Sequence, residues 1–323
     1  MKKKIEFHGI GEDSRKFLIK ELLSRHFEIE ECTGGKGDYL FSDTLAYDHV
    51  KYDKAVKIAV IGENTAPDFN WFDYAIGFDR LEFADRYLRL PLYVFYRGDY
   101  LKLAGRLADD GTSAGQDNRR LVERKFCSFV VSAANGNPIR RKFFEELSKY
   151  KQVDSGGRWM NNVGGPVKDK AVFLREHKFN IAFENSSHPG YVTEKLMQAF
   201  AAQTVPIYFG APDVELDFNR EAMIVVKDEN DIKRAVEEVI ALDKDDKAYL
   251  AKVTAPCRAA NLEGVYEKQL EEFLVHVVSQ PLALAKRRND YGYQSRMRKT
   301  LTPLLCVYQF VRELAWKMYA LVR

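Results

Sequence analysis

The segment from Phe179 to Gly210, FNIAFENSSHPGYVTEKLMQAFAAQTVPIYFG, constrains the fold of this chain more than any other. An apolar run leads into a polar loop, the YVTEKL run predicts the start of a helix, and Val205 to Gly210 predicts a second strand. Such a β-α-β unit places free helix N–H groups and the positive end of the helix dipole just beyond the carboxyl end of a strand. The segment therefore predicts an α/β fold with an anion site, suited to a diphosphate, at this point.

Length and charge narrow the classes of protein that fit. With 323 residues the chain can hold two medium domains, and a glycine-rich change in composition between residues 150 and 168 predicts the boundary. The 50 Lys and Arg residues against 47 Asp and Glu residues give a net charge of +3, which does not indicate nucleic-acid binding by the whole chain. No uncharged apolar run approaches the roughly 20 residues of a membrane span.

Cysteine usage and the N-terminal sequence bear on the compartment. The four cysteines are far apart and lack metal-ligand spacing, so they predict reduced thiols in a cytoplasmic protein and neither a disulfide scaffold nor a zinc site. The opening sequence MKKKIEFHGIGED lacks the apolar stretch of a secretory signal. Both observations lead us to expect a cytoplasmic location.

An α/β alternation runs through the rest of the chain. A helix is expected from about Asp13, another over Arg140–Tyr150, and further helices over Glu229–Leu242 and Leu262–Val278. Strands are expected at Lys4–His8, Asp38–Ser42, Ala55–Ile61, Tyr74–Asp79, Leu90–Tyr96, Phe126–Ser132 and Ala222–Val226.

The pattern breaks between Arg97 and Arg120, where glycines and small polar residues replace the apolar alternation. This composition predicts a long surface segment. A functional loop and an insertion without a role are both open.

The last forty residues differ in kind from the rest. The segment from Lys286 to Lys299 contains six basic residues and one acidic residue. Thr302 and Pro303 then predict the start of a helix, as its N-cap and its first residue. Apolar residues at helical spacing, together with Trp316 and Tyr319, are typical of a peripheral contact with an anionic membrane surface. Packing of this helix on the protein itself is the alternative.

Two residues at the predicted helix start can carry chemistry. Lys195 can neutralise phosphate charge, whereas Glu194 is better suited to a sugar hydroxyl or a developing positive charge. Asn185, Ser186 and Tyr191 add hydrogen-bonding groups and an aromatic face for a ribose or base. The structural alternative is that Glu194 only complements the helix dipole while Lys195 is solvated.

Two further candidates lie outside this unit. Glu63 follows an apolar strand at its carboxyl end, and partial desolvation by Phe69, Trp71 and Phe72 would suit it to act as a general base. It could equally cap the next turn. Arg140 begins a helix, where its charge opposes the dipole and hints at an anion partner, although a surface arginine is the alternative.

The segment FNIAFENSSHPGYVTEKLMQAFAAQTVPIYFG resembles the signature of the GDP-fucose-dependent α1,3-fucosyltransferases, in particular the soluble bacterial members. The blocks IGENTAPDFNWFDYAIGFDRLEFADRYLRLPLY, FCSFVVSAANGNPIRRKFFEEL, SGGRWMNNVGG and VPIYFGAPDVELDFN follow in that family's order. The resemblance implies a GT-B glycosyltransferase with two Rossmann-like domains facing a cleft. We expect an acceptor-side domain over residues 1–155, a GDP-fucose-binding domain over 156–280, and a basic tail with an amphipathic helix over 281–323.

The resemblance also implies residue roles. Glu63 would be the general base, Arg140 and Lys195 would hold the diphosphate, and Glu194 would hold fucose or stabilise its oxocarbenium-like transition state. Donor binding would further involve Asn185, Ser186, Tyr191, Val192 and Thr193.

The implied reaction is inverting transfer of L-fucose from GDP-fucose, without an essential metal or cofactor. The acceptor would be a galactose-containing oligosaccharide such as N-acetyllactosamine or lactose, fucosylated on its N-acetylglucosamine or glucose to give a Lewis-type glycan. Two alternatives are open: a related transferase that uses another nucleotide sugar, and a non-catalytic glycan- or nucleotide-binding protein on the same scaffold. The segment from Arg97 to Arg120 matches no block, which leaves the choice of acceptor open.

Overall fold

A computed structural model describes residues 2–11, 14–45, 47–96, 118–258 and 264–321. The chain forms two compact units, of which the first comprises Met1–Leu90 with Gly264–Arg323 and the second Pro91–Glu263. The divisions expected near residues 155 and 280 therefore differ from the observed ones. The physical reason is that the strands after residue 118 pair within the second sheet, while the helices after residue 264 pack back onto the first unit.

The helices and strands have the following bounds in chain order: β1 (Lys2–His8), α1 (Ser14–Ser24), β2 (Glu28–Glu31), β3 (Tyr39–Ser42), β4 (Val56–Val60), β5 (Tyr74–Gly77), β6 (Tyr87–Arg89), α2 (Asn118–Val122), β7 (Lys125–Phe129), α3 (Ile139–Ser148), β8 (Val153–Ser155), α4 (Lys170–Arg175), β9 (His177–Phe183), α5 (Glu194–Ala201), β10 (Val205–Phe209), β11 (Ile224–Val225), α6 (Ile232–Lys244), α7 (Asp246–Val253), α8 (Val265–Ser279), α9 (Leu282–Ala285) and α10 (Gly292–Leu321).

The first unit is built on a parallel sheet with the strand order β2-β1-β3-β4-β5-β6. Strands β3, β4 and β5 are buried at every residue, as expected for parallel strands covered on both faces. Helix α8 packs against α1 and β6, and α10 packs against the short 3-10 turn Tyr47–Lys51. The C-terminal helices thus complete the first unit.

The second unit contains a parallel sheet with the order β11-β10-β9-β7-β8. Its core is aromatic and aliphatic, and Phe129, Phe143, Phe179 and Phe183 are among its fully buried side chains. Helix α3 packs on α6, and α5 packs on β9 and β10. The predicted strand-helix-strand unit at Phe179–Gly210 is confirmed as β9, α5 and β10, in adjacent positions of the sheet.

One predicted strand, over residues 90–96, is wrong. Strand β6 ends at Arg89, and the N–H of Leu90 makes the last bond to β5, at 2.6 Å from the carbonyl oxygen of Gly77. Leu92–Phe95 then form a buried 3-10 turn in which the N–H of Val94 donates to the carbonyl oxygen of Pro91 at 3.0 Å. Pro91 has no N–H for a sheet ladder, and a short apolar run fits a buried helical turn as well as a strand.

The start of the last helix also differs from the prediction. Helix α10 begins at Gly292 and contains Pro303 in its interior. The hydroxyl of Thr302 does not cap a helix start, because it donates to the carbonyl oxygen of Arg298 one turn earlier, at 2.8 Å. Part of the basic segment is buried, since Arg298 donates to the carbonyl oxygen of Asn70 at 2.6 Å. The side chains of Trp316 and Tyr319, and residues 97–117 of the predicted surface segment, lie outside the described residues.

Candidate active site

Neighbouring strands bring two loops together at the carboxyl edge of the second sheet. Strand β9 is buried along its whole length and lies beside β7, so the loops that follow these two strands share one edge. The backbone N–H of Asn137, after β7, donates to the carbonyl oxygen of Asn185, after β9, at 2.9 Å. This bond ties the segment that carries Arg140 to the segment that precedes α5.

A cluster of acidic and basic side chains lies at the start of α5. The ammonium nitrogen of Lys195 lies 3.1 Å from Oε2 of Glu184 and 3.2 Å from Oε1 of Glu194. Thr193 joins the same cluster, because its hydroxyl donates to Oε2 of Glu184 at 2.6 Å and accepts from Lys195 at 2.9 Å. Lysine is thus held between two carboxylates at a helix N-terminus.

The pKa values in this cluster follow from burial and pairing. Burial raises the pKa of Glu184, and attraction to Lys195 only partly opposes this effect. Burial by itself would lower the pKa of Lys195, but attraction to Glu184 and Glu194 outweighs it and the pKa is raised. For Glu194, burial is outweighed by attraction to Lys195 and then to Lys170, so its pKa is lowered. Lys195 and Glu194 are therefore held in their charged forms.

Arg140 is a buried cation in the first turn of α3, with 1% of its surface exposed. Its Nε and Nη1 atoms are buried and form no hydrogen bond within the described part of the chain. Burial lowers the pKa of the guanidinium, and the charges of Glu184 and Glu194 oppose this shift. An added methyl group at Gly136 would overlap Nη1, so glycine at that position makes room for the guanidinium.

The other candidates of the loop have different environments. Tyr191 and Val192 are buried, whereas Asn185 and Ser186 are partly exposed. The loop turns at Gly190, which has φ of 76° and donates its N–H to Oδ1 of Asp213 at 2.7 Å. The candidates from Asn185 to Thr193 therefore lie in the connection between β9 and α5, Glu194 and Lys195 begin α5, and Arg140 belongs to the same unit.

Glu63 belongs to the first unit, where it follows β4. Its side chain is exposed, so the expected partial desolvation is wrong. The aromatic residues named for that role pack elsewhere: Phe69 lies against Phe83 at 4.7 Å between ring centroids, and Trp71 and Phe72 lie against His49.

Sequence reasoning passed over several polar groups near the candidate residues. Next to Glu63, Nη1 of Arg15 lies 3.3 Å from Oδ2 of Asp43 and directly against Gly62. Glu184, in the second unit, was also not singled out. It directly follows an apolar strand at its carboxyl end, the same signal that identified Glu63, and this signal could have found it.

Within the described ranges, no group of three or more His, Cys, Asp or Glu side chains is placed to hold a metal ion. Metal independence itself stays a prediction. Across the helices that the structure describes, none has an apolar stretch long enough to cross a membrane.

Two family models match the chain. The model of the alpha-(1,3)-fucosyltransferase FucT N-terminal domain matches residues 5–96, which include Glu63. The model of the glycosyltransferase family 10 (fucosyltransferase) C-terminal region matches residues 122–253, which include Arg140 and Lys195. Over 243 residues the chain is 36% identical to an alpha-(1,3)-fucosyltransferase of Helicobacter pylori. The chain belongs to the bacterial α1,3-fucosyltransferase family.

This fucosyltransferase family member also resembles solved structures over most of its length. A crystal structure of an α1,3-fucosyltransferase with GDP is 28% identical, with a TM-score of 0.74 and coverage of 90% of this chain and 93% of that one. A crystal structure of an α1,3-fucosyltransferase with GDP-fucose is 28% identical, with a TM-score of 0.70 and coverage of 86% and 90%. These likenesses and the two parallel sheets confirm the predicted α/β class of the GT-B type. The alignment with the Helicobacter pylori relative covers 66% of this chain but 50% of that protein, so the chain spans half of its length.

Proposed function

We propose that this chain transfers L-fucose from GDP-fucose, with inversion, to a galactose-containing oligosaccharide. The observation that carries the proposal is Arg140, a buried guanidinium with two nitrogen atoms that lack hydrogen-bond partners in the described residues, in the same unit as Lys195. A buried cation that lacks these partners is suited to an anion, and arginine matches the geometry of phosphate oxygens. The likeness to a fucosyltransferase structure containing GDP-fucose supports a guanosine diphosphate sugar as that anion.

The donor side uses the second unit. Arg140 and Lys195 hold the two phosphates and balance the charge that builds on GDP as it leaves, which removes the need for a metal ion. Asn185, Ser186, Tyr191, Val192 and Thr193 form the loop that contacts the nucleotide. Glu194, whose pKa is lowered, is ionised and stabilises positive charge on the fucose ring in the transition state.

The acceptor side uses Glu63. Its carboxylate takes the proton of the acceptor hydroxyl while the hydroxyl oxygen forms a bond to C1 of fucose. The bond between C1 and the phosphate oxygen breaks, and GDP leaves with the electron pair. Inversion needs the base on the face opposite the leaving group. Glu63 is exposed, so the bound acceptor supplies its desolvation.

Turnover of GDP-fucose with N-acetyllactosamine or lactose tests this function. We expect GDP release that depends on the acceptor, and a fucosylated product whose linkage NMR shows substitution at O3 of the N-acetylglucosamine or glucose. No release of GDP with either acceptor would refute the proposal. Calorimetry with GDP-fucose, GDP-mannose and UDP-galactose distinguishes a transferase of another nucleotide sugar. Donor binding without transfer to any member of an acceptor panel would favour a non-catalytic binding protein.

The base assignment has a separate test. Glu63→Gln should lower kcat by about 10²- to 10⁴-fold, the usual contribution of general base catalysis, with little change in GDP affinity. Glu82→Gln is the matched control, because Glu82 is also an exposed acid of the first unit. Equal activity of the two variants would refute the role of Glu63.

We also propose that the second half of α10 contacts an anionic membrane at its cytoplasmic face. Large apolar side chains stand exposed there, among them Val307, Phe310, Val311 and Met318, with Phe310 67% exposed. Basic residues of the same helix add attraction to anionic lipid. The full chain should sediment with phosphatidylserine vesicles at low salt, and the double change Val307→Ser with Phe310→Ser should reduce sedimentation. A chain that remains in the supernatant, or that forms a dimer lost in the double variant, would contradict membrane contact.

A further inference from the structure

Glu184 is the fully buried carboxylate at the carboxyl end of β9, and the donor-site roles above do not use it. One oxygen, Oε1, accepts from the backbone N–H of Thr193 at 2.8 Å. The other, Oε2, accepts from the hydroxyl of Thr193 at 2.6 Å and from the ammonium of Lys195 at 3.1 Å. Both oxygens are thus occupied by the two residues that flank Glu194.

Neighbouring strands provide the place for this side chain. The backbone N–H of Glu184 donates to the carbonyl oxygen of Phe209 in β10 at 2.8 Å. A Cβ atom at Gly210 would lie 2.5 Å from Cγ of Glu184, so the absence of a side chain at Gly210 leaves space for the glutamate. The carboxylate is therefore fixed from the sheet side as well as from α5.

The contacts of Thr193 show what Glu184 does to the helix start. Thr193 is the N-cap residue of α5, and such a threonine ordinarily accepts from an N–H in the first turn. Here its side chain forms no capping hydrogen bond and donates to Glu184 instead. Local helix stability alone would favour the ordinary cap, and burying a carboxylate is costly unless its oxygens are paired. The contacts with Glu184 hold Thr193 and Lys195 in fixed positions, and the helix lacks the ordinary capping hydrogen bond of Thr193.

We propose that Glu184 is a positioning residue of the donor site, which holds the Thr193 backbone and the Lys195 ammonium in place before the donor binds. The inference deepens the proposed function, since it rests on Lys195 and Glu194 facing GDP-fucose. Lys195 has three N–H donors, which contact Glu184, Thr193 and Glu194, so it can keep its bond to Glu184 while the N–H that faces Glu194 turns to a phosphate. Glu184 thereby fixes the direction of Lys195 and, through the backbone, the position of Glu194.

Glu184→Gln tests the proposal with nearly the same side-chain shape. The amide NH₂ group replaces either Oε1, where it meets the backbone N–H of Thr193, or Oε2, where it meets the hydroxyl of Thr193 and the ammonium of Lys195, so one side of the cluster is lost. We expect kcat with GDP-fucose to fall about 10- to 100-fold, the scale on which activity falls when a side chain that orients a directly acting group is lost. GDP affinity should stay within about threefold or improve, because a negative charge near the diphosphate is removed. Parallel losses of GDP affinity and kcat would indicate general damage and overturn the proposal.

Hydrogen exchange gives a readout that does not depend on catalysis. In the ligand-free chain the amide of Thr193 should exchange about tenfold faster in Glu184→Gln, because its acceptor is weakened. Glu237→Gln, an exposed acid of α6, is the matched control and should change neither exchange nor kcat. Unchanged exchange and unchanged kcat in Glu184→Gln would overturn the proposal.

Thr193→Val keeps the proposal testable if Glu184→Gln does not fold, because it preserves shape and the backbone N–H while removing only the hydroxyl. Thr193→Val should lower kcat. In the double variant with Glu184→Gln, the loss of kcat should be less than the two single losses added as free energies, because both changes act on one cluster. Full kcat in Thr193→Val, or full additivity, would overturn the proposal.

These outcomes separate the two proposals. Wild-type protein that transfers fucose while Glu184→Gln is equally active overturns the role of Glu184 alone. Wild-type protein that binds neither GDP nor GDP-fucose overturns both.

Discussion

Replacing Arg140 by methionine should separate stability from donor binding. Methionine has a similar length and no charge, so it can fill the same buried space in the first turn of α3. Nε and Nη1 of Arg140 are buried without hydrogen bonds to the described residues. An unsatisfied buried donor costs about 1–3 kcal/mol, and Arg140→Met removes two such atoms.

An opposing contribution limits this gain. The carboxylates of Glu184 and Glu194 attract the guanidinium, as their effect on its pKa shows, and methionine loses that attraction. We therefore expect Arg140→Met to leave the second unit between equally stable and about 3 kcal/mol more stable. For a unit of this size each kcal/mol corresponds to about 2–4 °C in melting temperature.

Donor binding should change in the opposite direction. A hydrogen bond to a charged partner contributes about 1.5–3 kcal/mol, so loss of the contact to the diphosphate should weaken GDP binding about 10- to 150-fold. Calorimetry with GDP and thermal unfolding of the same samples measure both effects. Arg141→Met is the matched control: this neighbour on α3 has a side chain 58% exposed, and the variant should bind GDP normally. A destabilised Arg140→Met, or one with unchanged GDP affinity, would refute the reasoning.

Two further changes have directions that follow from the structure. Gly136→Ala introduces a methyl group 2.9 Å from Cζ of the Arg140 guanidinium, so the flexible end of the arginine should shift. GDP affinity, measured by calorimetry, should therefore weaken about tenfold, while the melting temperature stays within about 2 °C. Asp73 accepts from the backbone N–H groups of Lys57, Arg287 and Arg288, and burial raises its pKa to about 7, against about 4 in an unfolded chain. The contribution of Asp73 to stability is therefore complete below about pH 4 and is lost as the pH rises through 7. Between pH 5.5 and 8, the stability of the wild type measured by urea unfolding should fall more than the stability of Asp73→Asn. Equal pH dependence of the two proteins would contradict this assignment.

Local pattern was sufficient to predict the β-α-β unit. Strand β9 alternates Phe179, Ile181 and Phe183 on one side, and the helix that follows begins one position beyond Thr193, within the predicted run. Parallel pairing places the loop after β9 beside the loop after β7, so Arg140, which the boundary expected near residue 155 assigned to the acceptor-side domain, belongs to the same unit as Lys195. Short-range periodicity was enough for the β-α-β unit itself but did not predict this pairing of Arg140 with Lys195.

The division of the chain depended on contacts that periodicity does not contain. Arg288 donates to the carbonyl oxygens of Asp53 and Ala55, which lie 235 and 233 positions away in the sequence. In the sequence this arginine belongs to a basic run that predicts a solvated or lipid-facing surface. Its partners are backbone carbonyls, which every residue has, so composition gives no sign of them. The return of the C-terminal helices to the first unit could not be predicted for this reason.

The charges of the donor cluster explain why Glu184 matters. Arg140 and Lys195 supply two positive charges, and Glu184 and Glu194 supply two negative ones when ionised. These four charges sum to zero, which allows burial of four ionisable groups without a large excess charge. A bound diphosphate makes the cluster negative, so net charge alone cannot explain why the diphosphate binds. The direction of the cationic donors must therefore add to the effect of charge, and on the Lys195 side the contacts from Glu184 fix that direction for the stage at which charge builds on the leaving GDP. Glu184 therefore adds nothing to the net attraction for the donor, and we expect it to matter for the placement of the donor-binding side chains.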